Sequence, residues 1–184
     1  MNFWVIGSIA AAVIIILWVI LTFNKLVSLR NRVEDQWSQI DVQLKRRFDL
    51  IPNIVNTVKG YATHEESTLE AVMAARNSFA EAATPEAEME ANRQVSGALV
   101  HLFAVSEAYP ELKADAAFMD LQNQLKETEN KIAFARQFYN DIVLKYKNAR
   151  EMFPSNIVAG IFGFKPRSFF EADSAEKENV RVSL

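Results

Sequence analysis

The chain has no cysteine, which excludes disulfides, thiolate metal sites and a lipid-modified cysteine. It has only two histidines, and they stand far apart in the sequence, at His64 and His101. Zinc normally takes three or four nitrogen and sulfur ligands, so this set does not build such a site. Glycine and proline number five each, too few for a protein of many strands and tight turns. Charge is balanced, 23% of residues with a formal net of -3, and leaves no basic footprint for nucleic acid. Between Phe3 and Phe23 charge is missing altogether.

That uncharged stretch is filled by Ile, Val, Leu, Ala, Trp and Phe, and as a helix it spans the ~30 Å hydrocarbon core of a bilayer. Trp4 and Trp18 suit the two interfaces, and Lys25, Arg30 and Arg32 follow the run. A cleaved signal peptide fits less well, since no basic n-region precedes the run and no small-x-small site follows it. The expectation is a single-pass transmembrane anchor over residues 1–24. By the positive-inside rule the domain beyond it is cytoplasmic.

Beyond the anchor the chain reads as four helices. Leu26, Leu29, Val33, Trp37, Ile40, Leu44, Phe48, Ile51, Ile54, Val58 and Tyr61 recur in steps of three and four that average near 3.5, the coiled-coil period. Pro52 removes an amide donor and crowds the carbonyl of Phe48, which predicts a kink. Gly60 reads as a helix stop, and Thr63 with Glu66 as a capping box for the second helix. Thr84-Pro85 is a start signal for the third. Glu86 to Gln94 is weakly apolar, so the first turns of that helix are expected to be exposed. The fourth helix, 112–153, carries the most regular seam: Phe118, Leu121, Leu125, Thr128, Ile132, Ala135, Tyr139, Ile142, Tyr146, Ala149 and Phe153. Asp41 with Lys45 and Glu127 with Lys131 stand four apart, worth only about 0.2–0.5 kcal/mol each, so apolar packing must hold the bundle.

The expected fold is all-α: one N-terminal transmembrane helix continuing into an antiparallel, coiled-coil-like four-helix bundle over residues 25–153. Helix lengths of roughly 55, 30, 37 and 63 Å nearly close an up-down path and bring the end of the fourth helix back toward the bilayer. The segment 154–170, with Phe162, Phe164, Lys165, Arg167, Phe169 and Phe170, then reads either as a membrane-interfacial segment or as a cap on the bundle. Residues 171–184 are polar and read as a disordered tail.

The strings KRRFDLIPNIV (45–55), VKGYATHE (58–65), FMDLQNQLKETENKI (118–132), ARQFYNDIV (135–143) and Phe153-Pro154 resemble the LemA family of bacterial membrane proteins over nearly the whole chain. The resemblance implies an N-terminal anchor followed by an α-helical bundle, and no established catalytic activity. Many relatives have a small or polar residue where this chain has Phe48. Some replace the anchor with a lipoprotein-type signal, which implies an extracytoplasmic domain and leaves that location open.

No catalytic constellation stands out. His64-Glu65 lacks the second histidine of H-E-x-x-H because Thr68 occupies that position, and there is no phosphate loop or G-x-S-x-G setting. No cofactor is implied. Arg46, Asp49 and Asn53, with Arg76, Glu129, Arg136 and Asn140, are expected to form an interhelical polar network around Pro52 or, alternatively, a partner-binding patch. Lys45-Arg46-Arg47 reads as a solvated basic face. The function expected is a non-enzymatic, membrane-anchored scaffold forming homo-oligomers on the lipid bilayer. The alternative is an adaptor for another membrane protein, such as a protease or transport component.

Overall fold

A computed structural model describes residues 3–62 and 64–170. The capping box expected at Thr63 and the disordered tail expected over 171–184 lie outside the described residues. The described residues are all-α, with α1 Phe3–Lys59, α2 Glu66–Glu81, α3 Pro85–Ser106, α4 Pro110–Ala114, α5 Ala116–Glu151 and α6 Ser155–Ile161. They fall into two compact units, and α1 and α5 contribute to both. One unit takes residues 3–37 and 137–169, the other residues 38–136 and Phe170.

In the second unit a continuous apolar core is built from Ile51, Ile54, Val58, Val72, Leu99, Leu102, Leu112, Phe118 and Leu125. These side chains come from α1 to α5, so each amphipathic helix buries its apolar stripe against the others. α1 runs through Pro52 as one helix, ending at Lys59 before Gly60 as the stop signal predicts. The start of α3 also follows its sequence signal: Thr84 is extended and its hydroxyl accepts from the amide of Ala87 at 3.2 Å, with Pro85 in the first turn.

Two local expectations change, and the start of α2 adds a detail of its own. The first turns of α3 are exposed on one face only: Glu86, Ala87 and Glu90 face solvent, while Met89, Ala91 and Asn92 are buried. The fourth expected helix is interrupted at Asp115, which is extended (φ -70°, ψ 123°) and separates α4 from α5. Its Oδ1 accepts from the amide of Phe118 at 2.8 Å, while Oδ2 accepts from the Tyr61 hydroxyl at 2.9 Å. A carboxylate that satisfies an orphan amide favours a cap over helix continuation. Finally, α2 has Glu65 at its N-cap position without a side-chain cap bond. Glu65 instead accepts from the Tyr109 hydroxyl at 3.0 Å.

In the first unit, none of the strongly apolar window of α1 is buried, and Phe3 and Trp4 are 91% and 90% exposed. Packing begins just after it, with Leu26 and Val33 of α1 buried alongside Tyr139, Val143 and Tyr146 of α5. Phe153, expected on the seam, lies beyond the end of α5 and is 79% exposed. The chain instead turns there through a cis Phe153-Pro154 bond into α6, whose Val158 and Ala159 are buried. Gly163, at φ 68°, then releases the chain from α6 in a conformation that a β-carbon disfavours.

Candidate functional site

Two arrangements of polar and aromatic residues stand out, one in each unit. In the second unit the centre is Arg47. Leu44, Arg47 and Ile51 step by three and four along α1, so the guanidinium is directed to the same side as the buried apolar residues. It is 5% exposed, which corrects the solvated-face reading for this member of the basic run. Its Nη1 donates to Asn92 Oδ1 at 2.9 Å and to Ser96 Oγ at 3.1 Å, both on α3. The same nitrogen lies 2.8 Å from Glu129 Oε2 on α5. Three helices are thereby joined at one cation. Arg47 Nε is buried and meets no hydrogen-bond partner among the described residues. Burial pulls the guanidinium below its ordinary value, with the Glu129 charge acting in the opposite direction.

The residues named from sequence are distributed around this centre. Glu129 joins it, but through Arg47 rather than Arg46. Arg46, Asp49 and Asn53 are exposed on α1. Arg76 stacks on Phe48 with its guanidinium carbon 4.0 Å from the ring centroid, and Phe48 faces Phe79 at 5.5 Å. Phe48 thus lies beside the polar centre, packing with α2 residues. Arg136 stands 6.0 Å from the ring of Phe170. Asn140, in the first unit, is half-buried. The signal for Arg47 was present in the sequence, since a residue three after Leu44 and four before Ile51 shares their helix face.

A second polar cluster sits on the outer side of this unit. Lys45 pairs with Asp41 at 2.7 Å. Glu88 is half-buried and its Oε2 lacks a hydrogen-bond partner. Burial and then the charge of Asp41 raise its carboxyl above the ordinary range, and Lys45 opposes this.

In the first unit, α6 and the strap after it lie against α1 and α5. Phe23, at the end of the apolar run, meets Phe162 and Phe164 edge to face at 4.8 and 5.6 Å. Arg30 stands 6.0 Å from the ring of Phe164. Arg167 pairs with Glu34 at 2.6 Å, and Lys147 lies 5.9 Å from the ring of Phe169. The strap is also held by its backbone: the hydroxyls of Tyr146 and Tyr139 donate to the carbonyls of Lys165 and Ser168 at 2.8 and 3.0 Å. Phe162 is 51% exposed and Phe169 36%, and the Lys165 side chain is also exposed. Phe170 departs from the interfacial expectation: it is 2% exposed, enclosed in the second unit beside Arg136.

Among the described residues no group of three or more His, Asp or Glu side chains is placed to hold a metal ion. His64 and His101 are both exposed.

Comparison with known proteins agrees with this architecture. Magnetosome protein MamQ 2 of Paramagnetospirillum magneticum is 24% identical over 194 residues, covering 91% of this chain and 71% of its own length. Magnetosome protein MamQ of Magnetospirillum gryphiswaldense is 22% identical with the same coverage. Protein LemA of Metamycoplasma hominis is 24% identical over 164 residues, 87% of this chain and 74% of its own. The pattern of the LemA family matches residues 36–184, everything beyond the first part of α1. With that match and one long apolar helix to anchor it, this all-α membrane protein belongs to the LemA family.

Proposed function

We propose that the protein is a non-enzymatic, membrane-anchored scaffold whose copies assemble side by side on the bilayer. The observation that carries this reading is a second apolar surface beside the anchor. Met152, Phe153, Ile161 and Phe162 are 63%, 79%, 74% and 51% exposed, and Phe162 touches Phe23 at the end of the apolar run. Aromatic and aliphatic side chains mixed with Lys165 suit the interfacial layer of a membrane. A unit held by both a span and an interfacial segment cannot swivel freely about its anchor. Copies held in one orientation lose less freedom on packing laterally than copies on a loose tether. The antiparallel, coiled-coil-like arrangement of the long helices supplies stiff side surfaces for such packing.

A second reading, an adaptor for another membrane protein such as a protease or transport component, is favoured by Phe134 of α5. It is 64% exposed on a helix whose Ile132 is buried, and an aromatic ring in that position is a common anchor for a partner. Size measurement of the full chain in mild detergent separates the readings. Large homo-oligomers support the scaffold, and a monomer supports the adaptor and removes the scaffold. The bundle is assigned to the cytoplasmic side of the inner membrane by the cations after the span. A cysteine introduced into the tail tests this: labelling by an impermeant thiol reagent in cells stripped of outer barriers would place it outside.

A further inference from the structure

A cleft of about 510 Å³ opens within the first unit, between α1, the end of α5 and the start of α6. It begins inside the uncharged run, at Trp18 and Thr22, and continues past Lys25, the first cation after that run. These three residues and Leu29 step by three and four, so they share one face of α1. Lys145 and Asn148 of α5 line the cleft as well, together with Met152 and Phe153, which follow α5 and are 63% and 79% exposed. No carboxylate is among the lining residues. Neither lysine has an ion pair among the described residues, and Glu151, next to Met152, is already paired with Arg150 at 2.6 Å.

We infer that this cleft seats one anionic phospholipid of the surrounding bilayer, its phosphate held by Lys25 and Lys145 and the first part of its chains beside Trp18, Met152 and Phe153. Two lysines without a counter-charge at the end of a membrane span stand at the depth of the lipid phosphates. Asn148 adds a neutral donor beside them. A zwitterionic headgroup brings its own ammonium toward the two lysines, a like-charge contact that offsets the gain at its phosphate. A soluble phosphate satisfies the lysines and leaves Trp18, Met152 and Phe153 without a partner. The site depends on the span alone and not on lateral assembly, because every residue it uses belongs to one unit of one chain. It is also separate from the interfacial contact of Phe162 and Phe169, neither of which lines the cleft.

The test uses the full chain in mild non-ionic detergent with an equimolar mixture of phosphatidylglycerol and phosphatidylethanolamine of identical chains, and native mass spectrometry counts the lipids bound. The first lipid bound should be phosphatidylglycerol, by about twentyfold. Lys25→Gln and Lys145→Gln, both at exposed positions, should each reduce that preference about fivefold, the scale of one lysine at an anionic membrane surface. Together they should bring it near parity. Asn148→Trp, also at an exposed position, obstructs the cleft without changing its charge and should reduce the preference as strongly as the loss of one lysine. Lys165→Gln removes an exposed cation outside the cleft and should leave the preference unchanged. Phe162→Ser with Phe169→Ser should leave it unchanged too, so the cleft and the interfacial segment fail separately. A preference retained by the double lysine variant would overturn the assignment, as would an equal loss in Lys165→Gln. Unchanged binding by Asn148→Trp would remove the cleft. Glycerol phosphate displacing the lipid at equal concentration would remove the acyl chains and leave a soluble phosphate as the ligand.

Discussion

Arg47→Met tests whether one buried cation ties α1, α3 and α5 together. Methionine keeps most of the stem's volume and removes the guanidinium, so the change is chiefly electrostatic. Three contacts disappear, to Asn92 at 2.9 Å, Ser96 at 3.1 Å and Glu129 at 2.8 Å. The Glu129 side chain is half-exposed, but the Oε2 that faces Arg47 is buried, so water does not replace the lost contact there. Asn92 is 7% exposed and loses its donor without access to water. Each of these two buried groups left unsatisfied costs about 1–3 kcal/mol. Relief from desolvating the cation works in the other direction. The expected net loss is about 2–3 kcal/mol, or roughly 5–10 °C in melting midpoint for a chain of this size. Thermal unfolding of the full chain in mild detergent, followed by circular dichroism, measures it. Arg46→Met, at an exposed position one residue earlier, should stay within about 0.5 kcal/mol of wild type. Adding Asn92→Leu to Arg47→Met should recover part of the loss, because both partners are then gone. If Arg46→Met proves the more damaging of the two single changes, the assignment of Arg47 as the tie is wrong.

Ile132, 2% exposed, should not tolerate an aspartate, whose unpaired charge there costs at least several kcal/mol; an unchanged circular-dichroism midpoint for Ile132→Asp would reject the α5 seam. Glu88 has its carboxyl raised by burial, so its charged form opposes folding at neutral pH, and stability should increase as pH falls through the raised value. Glu88→Gln should therefore melt higher than wild type at pH 7, with the difference shrinking toward acid; a lower midpoint at pH 7 would reverse the sign of the argument. A chain starting at Asn24 lacks the span and should still bind anionic liposomes at low salt through the α6 segment. Phe162→Ser with Phe169→Ser should abolish that binding, and a folded chain that never binds would reduce the segment to a bundle cap.

The sequence exposed those features whose physical cause is periodic or local. A long uncharged run defines the apolar part of α1. A 3.5-residue rhythm finds Phe118, Leu125, Ile132, Tyr139 and Tyr146, all buried, because core burial and helix pitch are the same constraint. Thr84-Pro85 marks a helix start because its cap bond spans only three residues. Arg47 was obscured for a different reason. Its neighbours Lys45 and Arg46 are exposed, and a run of three cations looks uniform until each is placed on the helix wheel. What buries Arg47 is a set of partners 45 to 82 positions away, Asn92, Ser96 and Glu129, and no local pattern announces them. Phe170 escaped in the same way: an aromatic residue at the end of an aromatic-rich strap looks interfacial, yet it is buried, with the distant Arg136 of α5 beside its ring. The break at Asp115 was local and could have been read, since an aspartate three residues before Phe118 can cap α5.

The way Tyr139 and Tyr146 hold the strap has an evolutionary consequence. Both phenols grip peptide carbonyls, those of Ser168 and Lys165, and every amino acid provides a carbonyl. The path of residues 165–168 is thus specified largely by α5, while the exposed side chains of Lys165 and Pro166 are left outside that specification. Mutations there can alter charge or bulk at little cost to the fold. Such a segment can diversify between species without disturbing the helical frame that holds it.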